Sequence, residues 1–326
     1  MLSLVTDIGG TNARVALVNR LHIEAIRVYP TNEFKRAADL FTKFQNDMGQ
    51  KLPSRWAVAA AGVLTEDRIQ GTNINWDIVR DELMTLFHLK TCLLLNDFEA
   101  AAYGLSVIKR QNLVQIGGKS PKDNCTKILI GAGTGLGEAI CVFCPNGQWN
   151  VLRTEGGHCS FAPTNLTEIK LLTFLQSQND QVSYERILSG TGLLNLYKFF
   201  LNELTNLPQN SDIAPKLEKP SQVTLGAKKG DPVCQKAIDL FCRIYGEEAG
   251  NFALKTLPEG GVFIGGGIAL HILDWLKKGA FRKGFESKEK MGSLLQAIPV
   301  FVVNEPYLGI YGGAYKLLQT SMPKAA

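Results

Sequence analysis

"DIGGTNARVALV", residues 7–18, places an aspartate, two adjacent glycines and a threonine between two apolar runs. Leu2–Thr6 precedes it and Ala13–Asn19 follows, so the stretch reads as strand, tight turn, strand. Glycine lacks a Cβ, so backbone N–H groups at such a turn can approach a phosphate closely. An acid at the mouth of an anion site would repel it, unless the phosphate arrives with a cation. Mg²⁺ is held through one or two carboxylates plus phosphate oxygens. Asp7 therefore reads as the metal-facing group of a magnesium-nucleotide loop, with Gly9, Gly10 and Thr11 facing the phosphate. Asp7 as a plain turn-former is the alternative.

Working outward, Ile23–Tyr29 adds a third strand, followed by a helical pattern at Glu33–Met48 and a strand at Trp56–Ala61. Asn75 stands where it can cap a helix running through Leu86. A strand at Cys92–Leu95 and a helix at Phe98–Leu105 come next. Residues 109–126 turn polar and glycine-rich, which marks a domain junction. Beyond it the pattern restarts, with Ile128–Ile130 and Ala139–Phe143 flanking a second glycine-rich turn. Helical signals fill Glu168–Gln176, Gly192–Leu204 and Val233–Leu257, and a strand at Gly261–Ile264 leads into a helix at Ala269–Lys278. A strand at Pro299–Val303 and a helix at Ile310–Gln319 follow, while 206–222 reads as a long surface loop. A three-strand meander followed by alternating helices and strands is an α/β layer pattern.

"LVTDIGGTNARVALV" and "ILIGAGTGLGEAICVF" set against each other match as strand, glycine-rich turn, strand. This predicts two similar domains facing a common cleft: a small one over 1–108 plus 299–326 and a large one over 109–298. A third glycine-rich stretch spans Gly260–Gly267. "GGKS" at 117–120 lacks the first glycine of a P-loop, since Leu113 holds that place. The 131–137 spacing is G-x-G-x-G-x-G, not the dinucleotide G-x-G-x-x-G.

Composition bounds the function. The 326 residues are 45% hydrophobic and 20% charged, with a net charge of +5. No Lys/Arg cluster forms a nucleic-acid footprint, and no apolar run reaches the ~18 residues of a membrane span. The first residues lack signal-peptide features. The seven cysteines lie mostly in apolar runs, which reads as reduced thiols in a cytoplasmic protein.

On the opposite side of the chemistry, Asn96-Asp97 ends an apolar strand and begins a helix, the sheet edge where α/β folds bind ligands. Asn and Asp also cap helices, but a kinase acting on a hydroxyl needs a carboxylate near its proton, and Asp97 suits that role. "EGGH" brings Glu155 and His158 onto a Gly-Gly turn, and Glu185 lies downstream in "SYERILSG". With only four histidines, the other three in unrelated contexts, zinc ligation is unsupported. Carboxylates, an amide and an imidazole are what a polyol needs once water is excluded.

"DIGGTNAR", "NDFEAAAYG", "GAGTGLGEA", "EGGH" with "FAP", "ERILSGTGL", "GGVFIGGGI" and "YLGIYGGA" together resemble the bacterial glucokinases, in order from residue 6 to about 314. The resemblance implies α/β architecture with two ribonuclease-H-like domains of the actin/hexokinase type around a central cleft. It also implies transfer of the ATP γ-phosphate to the 6-hydroxyl of glucose, with Mg²⁺, in a cytoplasmic homodimer at the entry to glycolysis. By position, Thr6, Asp7, Ile8, Gly9, Gly10 and Thr11 would form the ATP loop, with Gly133, Thr134 and Gly266 near the nucleotide. Asp97 would be the base, and Asn96, Asp97, Glu155, His158 and Glu185 would bind the sugar. Family members commonly have Gly where this chain has Thr6. The related ROK sugar kinases carry a Cys-rich zinc motif and the ROK repressors an N-terminal helix-turn-helix; this chain has neither. The residues alone leave open a sugar sensor, an actin- or chaperone-like ATPase, or a kinase for another hexose.

Overall fold

The computed structural model describes residues 1–71, 74–205 and 217–320. The chain opens with an antiparallel meander of β1 (Leu2–Ile8), β2 (Asn12–Asn19) and β3 (His22–Pro30). Next come α1 (Ala37–Met48), β4 (Arg55–Ala60) and a small ribbon of β5 (Gly62–Leu64), β6 (Arg68–Gly71) and β7 (Ile78–Val79). α2 (Arg80–Leu86), β8 (Thr91–Asn96) and α3 (Asp97–Gly104) follow. Then come β9 (Leu113–Gly117), β10 (Lys127–Ala132), β11 (Leu136–Phe143) and β12 (Trp149–Arg153). Four helices succeed them: α4 (Leu166–Gln176), α5 (Gly190–Thr205), α6 (Pro220–Lys228) and α7 (Pro232–Thr256). β13 (Gly261–Gly265) precedes α8 (Gly267–His271), α9 (Leu273–Lys277), α10 (Ala280–Glu286) and α11 (Gly292–Ala297). β14 (Val300–Val303) and α12 (Leu308–Gln319) close the described chain. Among the described residues no helix is long and apolar enough to cross a membrane.

The two main sheets follow one plan. Their orders are β3-β2-β1-β4-β8 and β12-β11-β10-β13-β14-β9. In each, the first strand of a hairpin also pairs in parallel with a later strand, β1 with β4 and β10 with β13. The hairpin loops have equal length, 9–11 and 133–135, and Asn12 and Leu136 open the equivalent second strands. The chain divides into two compact units, one of Met1–Asn112, Cys141–Arg153 and Glu305–Ala326, the other of Leu113–Ile140 and Thr154–Asn304.

β1 shows why the sheet of the first unit is apolar on both faces. Side chains alternate along a strand, so Leu4 and Ile8 join one core with Phe41, Phe44 and Trp56, whereas Val5 packs with Ile310 and Ala314 of α12 on the other. α12 reaches the sheet through glycine: a Cβ at Gly313 would press on Val5, and one at Gly312 would overlap the Ala100 carbonyl of α3. In the second unit α7 is the central helix, with Phe241 and Tyr245 fully buried beside Phe281 and Phe285 of α10.

Several element boundaries differ from expectation. Residues 31–33 form a 3₁₀ turn and α1 starts only at Ala37. Asn75 caps no helix, because Ile78–Val79 pair with β6 and α2 begins at Arg80. The helix expected over 269–278 breaks at Ile272 into α8 and α9, where backbone angles of −111° and 17° leave the helical region. Of the expected loop 206–222, residues 206–216 lie outside the described residues, and its end enters α6 with Pro220 in the first helical turn, where proline is favoured.

Candidate functional site

In the first unit the Gly9–Thr11 turn is closed by Gly9 N–H donating to Asn12 O at 2.9 Å. Thr31, absent from the sequence reading, clamps it from β3's end: its hydroxyl donates to Gly9 O at 2.7 Å and its N–H to Thr11 O at 3.0 Å. Gly10 and Thr11 are exposed. Asp7 stands directly across from Arg14 in the β1–β2 register, and the guanidinium meets its carboxylate at 3.2 Å. Burial pushes the Asp7 carboxyl above the usual range, and Arg14 opposes that shift through its charge and hydrogen bond. Gly309, at the start of α12, leaves room for this carboxylate, since a Cβ there would sit 3.3 Å from Asp7 Cγ.

Thr6 behaves differently from its neighbours. It is fully buried, and its hydroxyl donates to Ala59 O of the adjacent strand at 3.3 Å. Strand alternation puts it on the Leu4–Ile8 face, opposite Asp7. Its side chain therefore fills the sheet and leaves the turn's backbone uncovered; the buried Ile8 likewise contributes backbone alone to this end of the sheet.

Asn96 ends β8 and caps α3, accepting from Phe98 N–H at 2.9 Å and Glu99 N–H at 3.2 Å, while its amide donates to Gly62 O at 3.3 Å. Asp97, the first residue of α3, is half-buried. β1, β4 and β8 run parallel with Asp7, Ala59 and Leu95 in register, so Asp7 and Asp97, two residues past Leu95, lie at the same end of the sheet.

In the second unit Gly133 N–H donates to Gly135 O at 2.8 Å, and Gly133 O accepts from Gly190 N–H at 2.9 Å, which ties the loop to the start of α5. Glu185 Oε2 accepts from Leu136 N–H at 2.9 Å, and its Oε1 lies 3.9 Å from His158 Nδ1. A cavity of about 910 Å³ is lined by Thr134, His158 and Glu185, with Ser183, Ser189 and Arg186 among its other walls. That is ample for a monosaccharide. Glu155 occupies the same short turn as His158, whose N–H bonds its carbonyl at 3.0 Å, but its exposed side chain is outside that lining. Gly266 has a φ of 83°, and a Cβ there would overlap the Ala132 carbonyl, so glycine is required at this point for the backbone's sake.

Gly9 and Gly133 differ from Gly266. Neither has a positive φ. A Cβ at Gly9 would meet nothing nearer than Asn12 O at 3.6 Å, and one at Gly133 nothing within 4 Å. The fold would admit a side chain at both; the bare backbone leaves space for a group from outside the chain. Among the described residues no three His, Cys, Asp or Glu side chains gather to hold a metal, so the residues fit a Mg²⁺ shared between Asp7 and phosphate oxygens and not an all-protein cage.

Residues 4–320 match the family model described as glucokinase. A glucokinase of Chromohalobacter salexigens is 35% identical over 317 residues, 97% of each chain. The chain belongs to the glucokinase family. A solved glucokinase from an Antarctic psychrotroph, 30% identical, superposes with a TM-score of 0.85 over 98% of this chain and 99% of that one. A ROK-family glucokinase from Streptomyces griseus, solved with glucose and AMPPNP, is 22% identical with a TM-score of 0.67 over 98% and 100%, and shares the fold. Thr31, which the sequence reading missed, had a signal: a polar side chain directly after an apolar strand.

Proposed function

We propose that the protein is an ATP-dependent hexose kinase that phosphorylates glucose on its 6-hydroxyl. The observation that supports this most directly is the pairing of bare backbone at Gly9 with two carboxylates, Asp7 and Asp97, at one end of the sheet. The Gly9–Thr11 turn holds the transferring phosphate, with Gly133, Thr134 and Gly266 serving the nucleotide. Asp7 holds the metal shell, and bound Mg²⁺ supplies neutralisation of the phosphate charge. Asp97 orients the attacking hydroxyl and takes its proton, while Asn96, Glu155, His158 and Glu185 bind the remaining hydroxyls. Most of the rate gain in phosphoryl transfer comes from such positioning and electrostatics. The same reading makes the protein a cytoplasmic enzyme at the entry to glycolysis, acting as a homodimer.

The test is a coupled ADP-release assay over a panel of hexoses, with and without Mg²⁺. Glucose-dependent, Mg²⁺-dependent ADP release supports the reading. Release indifferent to every sugar assigns the protein to the ATPases of this fold, and no release at all overturns the kinase reading.

A further inference from the structure

Glu138 lies inside the second unit, 5% exposed, on the face of β11 that Leu136 and Ile140 turn toward the main core. Its Oε1 has no hydrogen-bond partner. Its Oε2 presses against Gly156 so closely that a Cβ there would overlap it. The backbone of the same residue is also engaged: Glu138 O accepts from Thr154 Oγ1 at 3.1 Å, and that hydroxyl accepts from Gly156 N–H at 3.3 Å. The turn that presents Glu155 and His158 therefore rests on Glu138 through both its backbone and its carboxyl.

We propose that the Glu138 carboxyl is the seat of the Glu155–His158 turn, a positioning residue that sets sugar affinity without touching sugar. This rests on the reading of that turn as part of the sugar site. The titratable groups facing Glu138 are Glu248, Lys255 and Tyr245 of α7. Burial first, and then the Glu248 charge, push its carboxyl up to about 8, with Lys255 pulling the other way. Near neutrality the seat is thus an uncharged acid that can lie against the Gly156 backbone. Once ionised, it is a buried charge with an unpartnered oxygen beside a second carboxylate, and such a group draws in water or moves. Either response displaces the turn.

The experiment measures KM for glucose, KM for ATP and kcat from pH 6.5 to 9.5 in wild type, Glu138→Gln and Glu138→Ala. Glucose KM of the wild type should rise several-fold between pH 7 and 9 while ATP KM stays flat. Glu138→Gln, a neutral isostere, should keep the neutral-pH KM and abolish the alkaline rise, which separates Glu138 from His158. Glu138→Ala should raise glucose KM at every pH, by up to about a hundredfold, the loss a misplacement of about 1 Å can cause. A rise in Glu138→Gln equal to wild type overturns the proposal even if the alanine variant fails to fold. So does a glucose KM in Glu138→Ala within twofold of wild type. A wild-type protein that phosphorylates no hexose overturns the kinase reading, and this one with it, and is told apart because it shows before any variant is compared.

Discussion

The Glu185 carboxylate accepts the Leu136 backbone N–H at 2.9 Å with one oxygen and faces His158 Nδ1 at 3.9 Å with the other. One side chain thus joins the loop proposed to serve the nucleotide with the turn proposed to hold the sugar. Glu185→Ala should raise KM for both substrates, since a backbone donor left without its acceptor costs on the order of 1–3 kcal/mol. Steady-state kinetics with each substrate varied in turn checks this. An effect on glucose alone would show that the link to the loop is idle.

Asp97→Asn keeps the length of the side chain and removes the proposed base. Its kcat should fall by about 10²–10⁴, while glucose binding followed by tryptophan fluorescence changes only a few-fold. Asn96→Ala should do something else: it strips the cap of α3, lowers stability by about 1 kcal/mol and weakens sugar binding, without the same loss of kcat.

Arg14 is the group that holds the Asp7 carboxyl down against the effect of burial. Without it the carboxyl rises further, so protonation during acidification comes earlier. If ionised Asp7 serves the metal, the acid limb of kcat/KM for MgATP should move to higher pH in Arg14→Ala, and more Mg²⁺ should be needed at pH 6. A pH–rate profile identical to wild type would remove Asp7 from that role. Chelation by EDTA should abolish turnover in both proteins, and added Mg²⁺ should restore it.

Glu138 makes a stability prediction independent of turnover. Its folded carboxyl titrates near 8, above the ordinary range, so the folded chain holds a proton that the unfolded chain has lost. Stability therefore falls as pH rises between about 4.5 and 8, by roughly 1.4 kcal/mol for each unit across that interval, and levels off above it. Glu138→Gln escapes this loss. Its melting temperature relative to wild type should climb from pH 5 to pH 8 and then stay constant, as differential scanning fluorimetry would show.

The sequence disclosed those parts of the fold where local physics and tertiary structure agree. Leu2–Thr6 and Ala13–Asn19 are apolar and interrupted by tandem glycine, and β1 and β2 form there. Cys92–Leu95 runs into Asn96-Asp97, and the strand, cap and helix follow in that order. β9 was hidden because its residues, Leu113–Gly117, sit in a stretch whose glycines and polar residues read as a junction. It is a strand through pairing with β14, almost two hundred residues away, which no local pattern records. The nearness of Glu185 to Leu136 and of Glu138 to Gly156 was hidden for the same reason. Thr6 could be named as part of the loop but not aimed. Its direction depends on which face of β1 it shares with Leu4, and that is fixed only once α12 covers the other face.

α3 and α12 meet backbone to backbone: a Cβ at Gly104 would strike Leu308, and one at Gly312 would strike Ala100. α3 begins with Asp97, and α12 begins beside Asp7 through Gly309. The two acids are thus fixed to opposite arms of one caliper whose hinge has been welded shut by the absence of side chains. A residue larger than glycine at Gly104 or Gly312 would therefore disturb the placement of both acids at once.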